Sequence, residues 1–322
     1  MHLSLNSWRF WLAFMVAISH LLDGFTQGPA AYAVWGFFVM SGFLMTLTLK
    51  TKYFSMEKGI KKYAVNRFLR IYPMYACAAI LGAIALILAK IYNIDPHYLN
   101  PAFSIPKSSS QIIQNIVPFP FFDQTRLLVP VSWALFVELF AYLLMPMLAR
   151  DKNVAWMCFI VGTLANYQSG FDLSTFVIRY SGVGSTMMPF AVGALLVHYK
   201  DNLKGFVMPT VSVCAWLVNC VFWYYNDLYP WGYGLYVSLL LSSWVTISLI
   251  DVKANKTGKF MGDISYPLYL IHTAVGIAVS TVTGPARTFK MFAISFVLCI
   301  IISSLFVIFI DRKIERFKYH KA

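Results

Sequence analysis

Arg9 and His20 are residues whose types and spacing suggest chemistry at once. They sit near opposite ends of one apolar run, Trp8 to Leu22, WRFWLAFMVAISHLL. Eleven positions make about three turns of an α-helix, so both side chains project from nearly the same face, about 16 Å apart along the axis. Ionisable groups inside a membrane span are costly and mark functional sites by default. Histidine can take and return a proton near neutral pH, which suits a general base. It can equally be a hydrogen-bonding link between helices. Arg9 reads either as an interfacial anchor or as part of an anion clamp.

Other residues fit one reaction centre. Arg67 and Arg70, at i, i+3 spacing ahead of an apolar run, point to one side of a helix. Three guanidinium groups at one membrane surface could hold phosphates by paired hydrogen bonds; the same residues also satisfy the cytoplasmic bias of basic residues. Glu138 is the only carboxylate deep within an apolar run. A buried carboxylate needs a partner. Its expected depth matches that of His20, which makes the imidazole a candidate, with a tyrosine or tryptophan as the alternative. His272 is a second histidine at the centre of an apolar run, suited to a core or a site role. Gly36, Ser41 and Gly42 allow close helix contact. His198 reads as interfacial.

The elements that must position these groups are membrane helices. Of 322 residues 59% are hydrophobic and 12% charged, against about one quarter charged in a soluble domain. The apolar residues fall in runs of span length. Ten spans are expected, at about 8–22, 31–49, 71–92, 131–148, 154–170, 174–198, 206–224, 231–250, 262–280 and 291–310, forming one membrane-embedded domain over 1–322 with no appended soluble domain. No internal repeat stands out, which weakens an inverted-repeat transporter. The first run reads as a retained helix rather than a cleaved signal. With the N-terminus in the cytoplasm, 20 of the 26 Lys and Arg residues fall inside, and the even span count puts the C-terminus there too. The net charge of +13 is thereby explained without nucleic acid, for which no soluble groove exists. Five cysteines lie in or beside apolar runs without CxxC or Cys/His clustering, so no metal site or disulfide framework is expected. The loop Lys50–Arg70 carries seven cations and Glu57 and suits anionic lipid or an anionic ligand. The opposite loop, Asn93–Pro130, holds six prolines and Lys107-Ser108-Ser109-Ser110; a loop of that length suits a lid or binding segment.

At this point the chain resembles the acyltransferase-3 family of bacterial inner-membrane proteins, which includes O-acetyltransferases of O-antigen and other polysaccharides. Arg9 and His20 match its Arg-x10-His signature, Phe37 to Leu44 its FFxxSGFL segment, and Arg67 to Pro73 its RxxRIxP segment. Ser132, Trp133 and Glu138 match SWSLxxE, and Gly262 to His272 match GxxSYxxYLxH. These follow in family order, with Glu315-Arg316-Phe317 resembling the closing ERP. The departures are Phe10 after Arg9 where the family has Gly, SWALFVE for SWSLSVE, and Phe317 for Pro.

The resemblance implies an all-α, multi-pass protein of the bacterial inner membrane. It implies transfer of an acyl group, acetyl foremost, from cytoplasmic acyl-coenzyme A to a sugar hydroxyl of a surface polysaccharide or lipid-linked glycan. Acetyl-coenzyme A would be a co-substrate, with no permanently bound cofactor. By this match Arg9, Arg67 and Arg70 bind the donor, and His20 and Glu138 are catalytic. Ser41, Ser132, Trp133, Tyr266 and His272 shape the acyl and acceptor site. A transporter or flippase for an acyl donor or lipid-linked sugar is the alternative.

Overall fold

The computed structural model describes residues 3–25, 27–117, 125–222, 225–226 and 231–319. The helices in chain order are α1 Leu5–Leu21, α2 Gln27–Thr51, α3 Gly59–Ile91, α4 Ser109–Ile116, α5 Trp133–Arg150, α6 Lys152–Gln168, α7 Phe176–Ser181, α8 Val183–His198, α9 Pro209–Val221, α10 Tyr233–Leu249, α11 Lys256–Thr283 and α12 Phe289–Phe306. α12 continues through a π-helical turn, Val307–Asp311, into α13, Arg312–Glu315. Among the described residues the architecture is all-helical, with one isolated β-bridge between Phe103 and Leu127.

Every expected apolar run lies on helix, with one difference. The run 174–198 is broken into two segments, Leu173–Ser181 and Val183–His198, bent by 54°. Gly182 between them is extended, which ends one helix and starts the next. The last two positions of the run 206–224 lie outside the described residues. Among the described residues five helical segments are long and apolar enough to cross a membrane: Gly28–Ser55, Gly59–Ile91, Pro130–Arg150, Lys256–Thr283 and Phe289–Glu315, with the bent pair a sixth. The other helices are shorter.

Burial separates centre from rim. α11 is mostly buried, while α12 faces largely outward. α1 packs against both α11 and α2 in the middle. α2 and α8 approach so closely that a Cβ at Gly42 would run into the Phe190 carbonyl, and one at Gly193 into the Val39 carbonyl. Only glycine permits that backbone spacing.

The polar turns gather at one end of the bundle. Lys50 Nζ meets His198 Nδ1 at 2.9 Å, and His198 Nε2 meets the Leu148 carbonyl at 2.8 Å. Lys200 pairs with Asp251 at 2.9 Å. Lys52 and Asn66 donate to the Tyr319 carbonyl at 2.7 and 2.8 Å, which ties the C-terminal tail to the start of α3. α3 has 33 residues, about 50 Å of helix, against a hydrocarbon thickness of roughly 30 Å. Its first turns, which carry Arg67 and Arg70, therefore have length to spare beyond the apolar layer.

At the opposite end Ser109–Ile116 form α4, capped by Ser108 and Gln111 in a reciprocal box; the serine run is thus a helix start. Asn115 holds α4 in place. It accepts from Leu128 N at 2.8 Å through its side chain and from the Tyr75 hydroxyl at 2.9 Å through its carbonyl.

Candidate active site

Five helices converge on a cavity of about 280 Å³. α1 contributes Arg9, α2 Ser41, α3 Arg67 and Arg70, α5 Glu138 and Tyr142, and α11 Tyr266 and Tyr269; the remaining wall is largely apolar. Arg70 is exposed, while Arg67, Arg9 and Glu138 are half-buried, so the cations grade from the mouth inward. The spacing argument for Arg67 and Arg70 agrees with this geometry, because both side chains reach the same cavity.

Glu138 is the polar hub. Its Oε1 accepts from Ser41 Oγ at 2.9 Å and from the Tyr142 hydroxyl at 2.8 Å. Tyr142 lies one turn after Glu138 on α5, the i+4 neighbour of a helix face. Arg67 lies over the rings of Tyr63 and Tyr142, at 5.5 and 5.9 Å from their centres, and its buried Nε has no hydrogen-bond partner among the described residues. Arg9 senses Arg70, Glu138 and, from the first turns of α11, Asp263. Three guanidinium groups face one carboxylate, so the cavity carries a positive excess. Such a site, partly dry and apolar below its mouth, favours a polyanion with an apolar arm.

His20 lies elsewhere. It faces His272, with ring centres 5.2 Å apart, and the Leu99 backbone approaches its ring. His20 keeps part of its surface accessible, whereas His272 is fully buried. His272 Nδ1 lies 2.8 Å from the Tyr269 carbonyl. A carbonyl only accepts, so Nδ1 carries the proton and, in the neutral ring, Nε2 is an acceptor. That Nε2 is buried with no partner among the described residues. Tyr269 adjoins both regions: it lines the cavity, and its ring centre is 6.3 Å from that of His272.

Of the partners weighed for Glu138, the tyrosine is the one found, and the imidazole is not. Glu138 bonds Ser41 and Tyr142, and His20 pairs with His272 instead. Equal depth along two helices did not place the side chains on facing surfaces. Ser41 and Tyr266 line the cavity; Ser132, Trp133 and His272 do not. Trp133 is one ring removed, edge-on to the cavity residue Phe38 at 6.4 Å. Ser132 is buried in the turn that starts α5. Tyr266 also bonds the Ile71 carbonyl at 3.1 Å, which joins α11 to α3 beside the cations. Sequence reasoning missed Tyr142 and Tyr269. The i+4 spacing from Glu138 could have found the first; Tyr269 is the second tyrosine of the GxxSYxxYLxH match, a signal not carried through to a site role.

Residues 2–310 match the acyltransferase domain that defines the acyltransferase-3 family, and the chain belongs to that family. A protein of Aquifex aeolicus described as uncharacterized is 25% identical over 203 residues, covering 60% of this chain and 90% of that protein. A protein of Acidianus two-tailed virus named "Putative acetyltransferase ORF330" is 23% identical over 292 residues, covering 84% of this chain and 78% of the relative. No solved structure matches the chain.

Proposed function

We propose that this member of the acyltransferase-3 family moves an acyl group, acetyl foremost, from cytoplasmic acyl-coenzyme A to a sugar hydroxyl of a surface polysaccharide or lipid-linked saccharide. The observation that carries the proposal is the single cavity into which Arg9, Arg67, Arg70 and Glu138 open beneath an apolar wall. Coenzyme A has that shape of chemistry: phosphates at one end and a thin, mostly uncharged arm at the other. In this reading the arginines hold the phosphates, the arm runs along Phe37, Phe38 and Leu135, and the thioester approaches Tyr269.

The gathering of the polar turns at one end supports an arrangement of ten spans, the short helices included, with both termini in the cytoplasm of a bacterial inner-membrane protein. The cation-lined mouth then opens on the donor's side. The acceptor comes from the opposite end, where α4, the Leu99 segment and α7 lie.

The chemistry balances simply. The acceptor oxygen attacks the thioester carbonyl, a new ester C–O bond forms and the C–S bond breaks. His20 takes the hydroxyl proton and returns it to the departing thiolate. The Leu99 backbone beside the His20 ring can accept its N–H, which fixes the tautomer that leaves the other His20 nitrogen basic. For the thioester to reach His20 the Tyr269 ring must turn aside. That motion gives up one long hydrogen bond to the Val131 carbonyl, 3.3 Å, a cost of about 1 kcal/mol. Glu138 acts as counter-ion to the arginines and holds Ser41 and Tyr142.

The test is transfer of labelled acetyl from acetyl-coenzyme A to a glycan acceptor by purified protein. His20→Ala, at equal membrane levels, is expected to lose roughly 10²- to 10⁴-fold in rate. Undiminished transfer would remove His20 from the mechanism. Label carried across a proteoliposome membrane without ester formation would favour a transporter.

A further inference from the structure

Arg179 on α7 is completely buried and among the largest buried side chains of the protein. Its Nη2 donates to the Asp172 carbonyl at 2.9 Å. Its Nε and Nη1 have no hydrogen-bond partner among the described residues. Phe171 and Phe176 lie 5.7 Å from the guanidinium, and no carboxylate among the described residues pairs with it. The nearby Asp172 carboxylate is turned toward Gly170. A buried charge left without a counter-ion is strongly unfavourable, and two ring contacts, the Asp172 carbonyl and the adjacent Tyr236 hydroxyl offset only part of that. Two free N–H groups on one planar fork match the two oxygens of a carboxylate or phosphate.

The surroundings fit a sugar. Phe176 stacks on Tyr180 at 5.2 Å and meets the Trp231 ring at 4.6 Å. Tyr180 meets Trp133 at 4.8 Å, and Trp133 leads to Phe38 of the donor cavity. A row of packed rings thus runs from the guanidinium to the cavity. The cover over Arg179 is thin: Phe171 is 47% exposed and stacks on Tyr233, itself exposed, at 5.7 Å. A turn of one surface ring opens the site.

We propose that Arg179 and this aromatic row form a subsite for an anionic group of the acceptor, supplied by the carboxylate of an acidic sugar or by the phosphate of a lipid-linked saccharide. The assignment rests on the glycan-acceptor reading above, and it explains why a transferase would keep an unpaired cation far from its donor site.

The experiment compares wild type and Arg179→Met in detergent, with trigalacturonate, inorganic pyrophosphate and neutral maltotriose as probes. Binding and thermal unfolding are both measured. The difference between the two proteins isolates this site from the Arg67–Arg70 cavity. Wild type is expected to bind one anionic probe about tenfold or more tighter than the variant, the loss of one charge-assisted contact, with maltotriose unaffected. Trigalacturonate identifies a carboxylate source and pyrophosphate a phosphate source. Unliganded Arg179→Met is expected to melt at the same or a higher temperature, because an unpaired buried charge has gone. Equal anion binding by both proteins, or a lower melting temperature with unchanged binding, overturns the subsite. Should Arg179→Met fail to accumulate, Phe171→Ala uncovers the guanidinium and is expected to speed anion association; an unchanged rate is equally fatal. Binding without ester formation would sink the transferase reading and leave the anion subsite standing.

Discussion

Replacing Glu138 should move stability and ligand affinity in opposite directions. Its Oε1 accepts two hydroxyl hydrogen bonds, from Ser41 at 2.9 Å and Tyr142 at 2.8 Å. In Glu138→Gln the amide oxygen can still accept both, but each falls from a charge-assisted bond of about 1.5–3 kcal/mol to a neutral one of about 0.5–1.5 kcal/mol. The loss is then about 2 kcal/mol. In Glu138→Ala both hydroxyls lose their acceptor, at about 1–3 kcal/mol each, with a void added. Alanine is therefore expected to lower the melting temperature clearly further than glutamine. For an anion the sign reverses. Without the Glu138 carboxylate, Asp263 is the acid left beside Arg9 and Arg70 among the described residues. A repulsion removed at roughly 8 Å is worth about 2 kcal/mol at an effective dielectric near 20. Coenzyme A should accordingly bind Glu138→Gln more tightly, by at least about threefold after screening, and the gain should fade with added salt. Calorimetric titration of the purified variant, beside a thermal melt of the same sample, reads both. A well-folded Glu138→Gln that binds coenzyme A more weakly would refute the counter-ion role and with it the assignment of this cavity to an anionic donor.

Two further substitutions test packing and the tail. Gly193→Ala should destabilise by about 1–3 kcal/mol or more, because the new methyl meets the Val39 carbonyl and Phe43 nitrogen. Gly205→Ala, with open space around it, should be neutral in the same thermal melt; equal effects would disprove the close α2–α8 contact. Asn66 is buried, donates to the Tyr53 hydroxyl at 2.7 Å and to the Tyr319 carbonyl at 2.8 Å, and accepts from Tyr319 N at 2.8 Å. Asn66→Ala should free the tail and speed tryptic cleavage after Arg316 and Lys318, with the core melt changed by little. Unaltered cleavage would mean that other contacts hold the tail.

Helices were readable because each apolar run must satisfy its own backbone, and that local demand needs no knowledge of neighbours. The break at Gly182 was missed although the sequence marks it: Arg179, Ser181, Gly182, Gly184 and Ser185 interrupt the apolar run there. Within the site, legibility followed the same line. Arg67 and Arg70 share one helix, so three residues of spacing fixed their common direction. Ser41 and Glu138 come from helices 97 positions apart, and nothing local in either segment states that they meet. The serine run at 107–110 carried a readable local signal, a Ser followed three positions later by Gln, which is a helix start rather than a ligand.

Helix periodicity also explains why one expectation about α1 divided in two. The spacing from Arg9 to His20 correctly sets both on a common stripe, but a stripe about 16 Å long passes more than one neighbour. Near Arg9 it borders α3 and α5 across the cavity; near His20 it meets α11 at His272. The common face of a helix therefore does not imply a common site. What it does supply is a separation: the guanidinium groups at one level and the histidine pair about three turns away, with Tyr269 between them. Were His20 beside the arginines, their field would oppose the positive charge that a base acquires in turnover. In the proposed chemistry the donor's uncharged arm must therefore span the gap between the cavity and the histidine pair.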